Sequence, residues 1–152
     1  MRLADHLTPA GIQLDLEGQT KEQVLRELVA LLGRVGEVKD PGRLLNVLLE
    51  RESLGSTGIG HGVAIPHGRS PDVGAPLVVL GRSRMDVDFD SIDGQPTRLY
   101  FLLVAPETGG NEHLHLLSRI ARLMRDAGTR QRLLDAATPE AALELIRSHE
   151  AA

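Results

Sequence analysis

The chain has 152 residues, 41% of them apolar and 25% charged, with a formal charge of −4, which is the composition of one ordinary folded domain spanning 1–152. Aromatics make up only 2% and Trp is absent, so the stacking surfaces of nucleic-acid and sugar binders are nearly missing, and the negative balance argues against a general nucleic-acid or anionic-membrane binder. Without a single cysteine the chain has no thiolate catalysis, no disulfide and no Cys-based zinc site. No apolar run reaches the roughly 20 residues of a membrane span. Met1-Arg2-Leu3-Ala4-Asp5 leads into no signal-like stretch, so the expected location is the cytoplasm, without membrane insertion.

In chain order, Ile12 to Leu16 reads as a short strand. Thr20-Lys21-Glu22-Gln23 is a capping box, and Val24, Leu25, Leu28, Val29, Leu31 and Leu32 follow at helical spacing up to Gly33. Asp40-Pro41 supplies a cap and a first-turn proline for a second helix, with Leu44, Leu45, Val47, Leu48 and Leu49 expected inside and Gly55 as its stop. Val63-Ala64-Ile65 and Leu77 to Leu80 read as buried strands, and Tyr100 to Val104 as a third, ending at Ala105-Pro106. Asn111 is the expected cap of a helix whose apolar stripe is Leu114, Leu117, Ile120, Ala121 and Met124, ending before Gly128. Thr129 to Ala137 and Thr138 to Ser148 give two closing helices. Helices interleaved with strands in one domain predict an α/β (α+β) fold, a mixed central sheet covered by helices.

The chemistry concentrates in Ser56-Thr57-Gly58-Ile59-Gly60-His61-Gly62-Val63-Ala64-Ile65-Pro66-His67-Gly68-Arg69. Glycine frees the backbone to turn or to approach a ligand closely, and proline fixes φ. His67 is thereby presented at the end of a strand beside an open glycine, with Gly60, His61, Gly62, Pro66 and Gly68 as candidate pocket residues. An imidazole there can accept a proton, a metal or a phosphoryl group. His113 falls at the start of the helix after Gly109-Gly110-Asn111, where free N–H groups and the helix dipole favour an anion, and Arg51 falls near the end of the second helix. If a phosphoryl group sat on His67, Arg51 or a protonated His113 at about 4 Å would contribute roughly 4 kcal/mol at an effective dielectric of 20 before desolvation.

At these residues the sequence resembles the enzyme IIA domains of the phosphotransferase system, in the fructose, mannitol and nitrogen-regulatory group. The resemblance runs through Arg51-Glu52-Ser53-Leu54-Gly55-Ser56-Thr57-Gly58-Ile59-Gly60 and Val63-Ala64-Ile65-Pro66-His67-Gly68. It continues in Phe89-Asp90-Ser91-Ile92-Asp93-Gly94-Gln95-Pro96, Leu102-Leu103-Val104-Ala105-Pro106 and His113-Leu114-His115-Leu116-Leu117-Ser118. It implies a mixed sheet sandwiched between helices and a phosphocarrier that uses no cofactor and no metal. His67 would accept a phosphoryl group on Nε2 from HPr or its nitrogen-branch counterpart, then pass it to a IIB component or signal with it to a kinase or transporter. His113 would hydrogen-bond the phosphoryl oxygens and Arg51 would balance charge. A backbone carbonyl on the far nitrogen of His67 would leave the reactive lone pair at Nε2. An exposed apolar ring around His67 would dock partners transiently.

His61 departs from the resemblance, since related sequences more often carry a small amide there; the plain reading is a surface histidine of the loop, and the alternative is an extra donor beside the phosphoryl group. His115, about 200° around the helix from His113, reads as structural or exposed. Two rival functions are a histidine-metal hydrolase and a non-catalytic regulatory module. A catalytic zinc needs about three protein ligands, and neither an HExxH helix nor a chelating pair at His113 and His115 is present. Within the resemblance, Ser56-Thr57-Gly58-Ile59-Gly60 and the absence of fused IIB, HPr-like or membrane segments favour a nitrogen-regulatory duty over a free fructose-type transport IIA.

Overall fold

The strand Thr97–Pro106 organises the molecule, because both of its faces are apolar. Leu99, Phe101 and Leu103 project to one side and Tyr100, Leu102 and Val104 to the other, as the two-residue period of a strand requires, and each set belongs to a different core. The computed structural model describes residues 2–151. Two short 3-10 turns, Leu3–His6 and Pro9–Gly11, precede β1 (Ile12–Leu16), α1 (Lys21–Leu32) and α2 (Pro41–Ser53). Then come β2 (Gly58–Gly60), β3 (Val63–Ala64), β4 (His67–Ser70), β5 (Leu77–Val87) and β6 (Thr97–Pro106), followed by α3 (Glu112–Arg125), α4 (Ala127–Asp135) and α5 (Pro139–Ala151). The sheet order is β1-β5-β6-β3-β2, with β4 also paired to β6. β5 runs antiparallel to β6, whereas β3 and β4 run parallel to it, so the sheet is mixed.

Helices α1 and α2 cover one face, packing Leu25, Leu28, Leu44 and Leu48 on Val79, Tyr100, Leu102 and Val104. The last three helices and the first 3-10 turn cover the other, with Leu116, Ile120, Leu143 and Ile146 against Val78, Leu80, Phe101 and Leu103. Each fully buried leucine contributes roughly 1.5–3 kcal/mol. Glu150, near the end of α5, accepts the N–H groups of Leu3 and Ala4 at 2.7 and 2.8 Å, and Arg119 lies 3.7 Å from the same carboxylate.

Several boundaries differ from the sequence expectations for identifiable reasons. The Val63-Ala64-Ile65 run does not carry His67 at its own end. β3 stops at Ala64, and His67 opens a separate strand, because Pro66 has no N–H for the ladder and only its carbonyl is used, by Leu103 N–H at 3.0 Å. β5 continues to Val87, well past Leu80, because β6 offers it partners down to Thr97. The apolar stripe of α3 is Leu116, Ile120, Leu123 and Met124, while Leu114 is exposed; Asn111 precedes the helix without a side-chain cap bond. Gly128 lies in the first turn of α4, where its N–H is accepted by Asp126. In α2, Val47 and Leu49 are half-buried and Glu52 is buried.

Candidate functional site

Buried Glu52 secures the segment that leads to the site. Its carboxylate accepts the N–H of Thr57 at 3.2 Å and the Thr57 hydroxyl, and it pairs with Lys21 at 3.2 Å. Lys21 also reaches Asp90 at 3.1 Å and lies over the Phe89 ring, 4.9 Å from its centroid. From this anchor the chain forms the β2–β3 hairpin, whose two turn residues, His61 and Gly62, have φ of +57° and +79°. Positive φ at both central residues is what a type I′ turn demands, and Asn-Gly meets it best. An asparagine at 61 would therefore suit this turn better than the histidine does. His61 itself is exposed at the hairpin tip, where its N–H is held by Asp93 at 3.0 Å. That N–H and the one from Gln95 hold the Asp93 carboxyl below the usual carboxylate range.

His67 sits at the first position of β4, opposite Leu103 of β6 and half-buried. Its Nδ1 lies 2.8 Å from the carbonyl oxygen of Ile65. A carbonyl can only accept, so Nδ1 carries the hydrogen and the lone pair is left at Nε2. This is the backbone carbonyl that the sequence reading asks for. The adjoining Gly68 has ordinary φ, and a methyl group there would lie 3.5 Å from Val47 and 3.7 Å from Leu48. Packing within the molecule therefore does not demand a glycine at 68.

Two residues along the same face of β4, about 7 Å on, Arg69 makes four contacts. Its guanidinium donates to the carbonyls of Pro106, Gly109 and Gly110 at 3.0, 3.2 and 3.1 Å, and lies 2.7 Å from His113 Nδ1. Burial first, then the charge of Arg69 and that of His67, push the His113 pKa down from its ordinary value. A cation on this ring is disfavoured beside a guanidinium, which weighs against the protonated alternative for His113 and leaves its hydrogen-bonding role open to a neutral ring.

Arg51 is placed differently. Its guanidinium donates to Gly55 O at 2.8 Å, capping the end of α2, and among the described residues no hydrogen bond or ion pair joins it to His67 or His113. His115 is exposed. Beside the Arg69–His113 contact lies a cleft of about 440 Å³ walled by Gly74, Pro76, Pro106, Gly110 and Asn111 among others. None of Gly60, His61, Gly62, Pro66 and Gly68 lines it; Gly60, His61 and Gly62 belong to the hairpin instead. Among the described residues no three His, Asp or Glu side chains converge as a metal site, and no helix is long and apolar enough to cross a membrane.

Residues 5–149 match the family described as phosphoenolpyruvate-dependent sugar phosphotransferase system, EIIA 2. A nitrogen regulatory protein of Bradyrhizobium diazoefficiens is 41% identical over 133 residues, 88% of this chain and 86% of that protein. The fructose-specific EIIABC component of Bacillus subtilis is 39% identical over 150 residues, 99% of this chain but only 24% of that longer protein. The crystal structure of the nitrogen regulatory protein IIA-Ntr from Neisseria meningitidis superposes with a TM-score of 0.87 at 35% identity, covering 95% of this chain and 98% of that one. Matched by the family model over nearly its whole length and by relatives of this identity, the chain belongs to the EIIA 2 family of the phosphoenolpyruvate-dependent sugar phosphotransferase system.

Proposed function

We propose that the chain is a phosphocarrier in which His67 Nε2 takes a phosphoryl group from a phosphohistidine donor, HPr or its nitrogen-branch counterpart. The observation that carries this reading is the 2.8 Å contact between His67 Nδ1 and Ile65 O, which leaves the lone pair at Nε2. In the transfer that pair forms the new N–P bond while the donor's N–P bond breaks and its electrons return to the donor nitrogen. No proton has to leave Nε2. The ring gains positive character, and its Nδ1–H already faces a carbonyl dipole. The rest is positioning and charge stabilisation, the main tasks of a protein in phosphoryl transfer. His113 hydrogen-bonds the phosphoryl oxygens, and Arg51 balances their charge by exchanging Gly55 O for the incoming group.

The exposed apolar side chains Leu54, Ile59, Ile92 and Leu114 support a docking face for transient partners, of the kind that buries less than about 1,200 Å². Phosphorylation adds about −1.5 to −2 charges to that surface, a change a partner can read. The similarity to nitrogen regulatory proteins over most of both lengths favours a regulatory duty, in which the phosphorylated state is sensed by a kinase or transporter. The Bacillus relative favours a second reading, donation to a fructose-type IIB.

Incubation with phosphoenolpyruvate and the general phosphotransfer proteins is expected to place one phosphoryl group on the wild-type chain and none on His67→Ala. Equal labelling of His67→Ala, or an unlabelled wild type that takes up stoichiometric zinc, would overturn the proposal. Onward transfer to a fructose-type IIB would assign the transport duty instead of the regulatory one.

A further inference from the structure

The cluster Arg69–His113 contains more than a charge beside the reactive imidazole. A guanidinium has donors only, in a fixed planar fork. Here three carbonyls, those of Pro106, Gly109 and Gly110, fix its plane, and these carbonyls belong to the end of β6 and the connection into α3. The terminal nitrogen that serves Gly110 also points at His113 Nδ1, 2.7 Å away. An imidazole nitrogen that receives a hydrogen bond cannot carry a hydrogen, so the hydrogen of His113 must be on Nε2.

We propose that Arg69 is a positioning residue that locks His113 as a neutral Nε2–H donor, complementary to the lone pair that Ile65 O leaves on His67 Nε2. The two histidines then differ in role through their backbone and side-chain partners alone: a carbonyl makes one the acceptor of phosphorus, and a guanidinium makes the other a donor to its oxygens. Both use Nε2. The same fork ties the His113 ring to the connection between β6 and α3, so ring orientation and loop position are set together. The assignment of phosphorus chemistry to these rings rests on the function proposed above, whereas the lock is a property of the unphosphorylated protein.

The groups facing His113 are Arg69 and His67 from β4; Glu112, next to it in its own helix, and Glu107, on the β6–α3 connection, are exposed. Burial and the two β4 groups all act to keep His113 neutral. Taking away Arg69 removes one of these influences and frees Nδ1 to bind a proton, so the His113 pKa must rise. Arg69→Gln keeps an N–H donor but loses the charge, and Arg69→Lys keeps the charge but not the fork. The pair separates donor from charge.

The test is nitrogen-resolved NMR of the histidine rings across pH in unphosphorylated wild type, Arg69→Ala, Arg69→Gln and Arg69→Lys. In the wild type His113 is expected as the Nε2–H tautomer and His67 as Nδ1–H. In Arg69→Ala, His113 should shift toward a tautomer mixture with a raised pKa; Arg69→Gln should retain the tautomer while still raising the pKa. Phosphoryl acceptance by Arg69→Ala should fall about 10–100-fold, the size of loss seen when the outer hydrogen-bond partner of a metal-ligating histidine is removed. Its rate should begin to fall at a higher pH than that of the wild type as the medium is acidified, because His113 protonates more readily. A wild-type Nδ1–H tautomer at His113, or an Arg69→Ala protein whose His113 titrates and tautomerises as in the wild type, would overturn the lock. Failure of His67 to accept phosphate would leave the NMR result standing and overturn only the proposed function. Circular dichroism and the chemical shifts of residues remote from the loop guard against simple misfolding, and Arg69→Gln remains interpretable if Arg69→Ala is lost.

Discussion

Tyr100 offers a direct measure of how the sheet is sealed, because it is the only tyrosine and the chain has no tryptophan. It is fully buried between β5 and the first two helices, 5.4 Å from the Phe89 ring centroid. Its hydroxyl donates to Thr97 O at 3.0 Å and accepts from Ser83 Oγ at 3.1 Å. Burial, the dominant influence, pushes the phenol up to about 12 from an ordinary value of 10.0, with the Ser83 hydroxyl and the Arg98 charge opposing it. Because the folded value is raised, the stabilisation is present in full below the unfolded value and is lost as pH climbs between about 10 and about 12. Two units correspond to about 2.7 kcal/mol, since one unit is 1.36 kcal/mol. Near-ultraviolet absorbance during alkaline titration reads phenolate formation from this one ring. The native protein should titrate near 12, or at the alkaline unfolding transition if that comes first, and the urea-unfolded chain near 10. Tyr100→Phe should remove this pH dependence of stability while costing about 1 kcal/mol at neutral pH for the lost hydrogen bonds. A native phenol that titrates near 10 would refute the argument, because it would mean that water reaches the ring.

Glu52→Ala should destabilise the fold by about 3 kcal/mol in urea unfolding, the lower end of the range for a broken buried pair, because Lys21 keeps Asp90 as a second partner. A loss below 1 kcal/mol would show that Glu52 does not anchor Thr57. His61→Asn should raise stability by about 0.5–1 kcal/mol, since Asn-Gly suits the positive φ of the hairpin turn better than His-Gly. A lower unfolding midpoint would indicate that the His61 ring makes stabilising contacts that its exposure argues against.

What was legible in the sequence follows from what is local. The caps at Thr20 and Asp40 act within one helical turn, and both accept the N–H expected of them, from Gln23 and Arg43. His67 and His113 are recognisable because glycine, proline and a helix start mark their backbone settings. Arg69 was in view as part of the motif, but its meaning was not: its partner His113 is 44 residues away, and only the pairing of β4 with β6 carries it to the start of α3. Glu52 was equally opaque, since helical spacing says where an apolar face lies but not that a carboxylate on it will meet a lysine and a threonine. The stripe of α3 was misplaced around Leu114 for a related reason. That leucine fits the period, yet it sits on the first turn of α3, next to His113, and is 54% exposed.

The Glu150 carboxylate bears on architecture beyond the domain. By holding the N–H groups of Leu3 and Ala4, it brings the first and last described elements together, on the sheet face that α3, α4 and α5 cover. A polypeptide can therefore enter and leave this unit at nearly the same place. Loop-closure cost grows only as the logarithm of linker length, about 0.6 kcal/mol per doubling, so tethering the ends or grafting the unit into a loop of another protein would strain it little. Circular permutants and insertion fusions at this spot should accordingly fold. A tag that displaced the Glu150 clamp would instead loosen the 3-10 turn and α5 together.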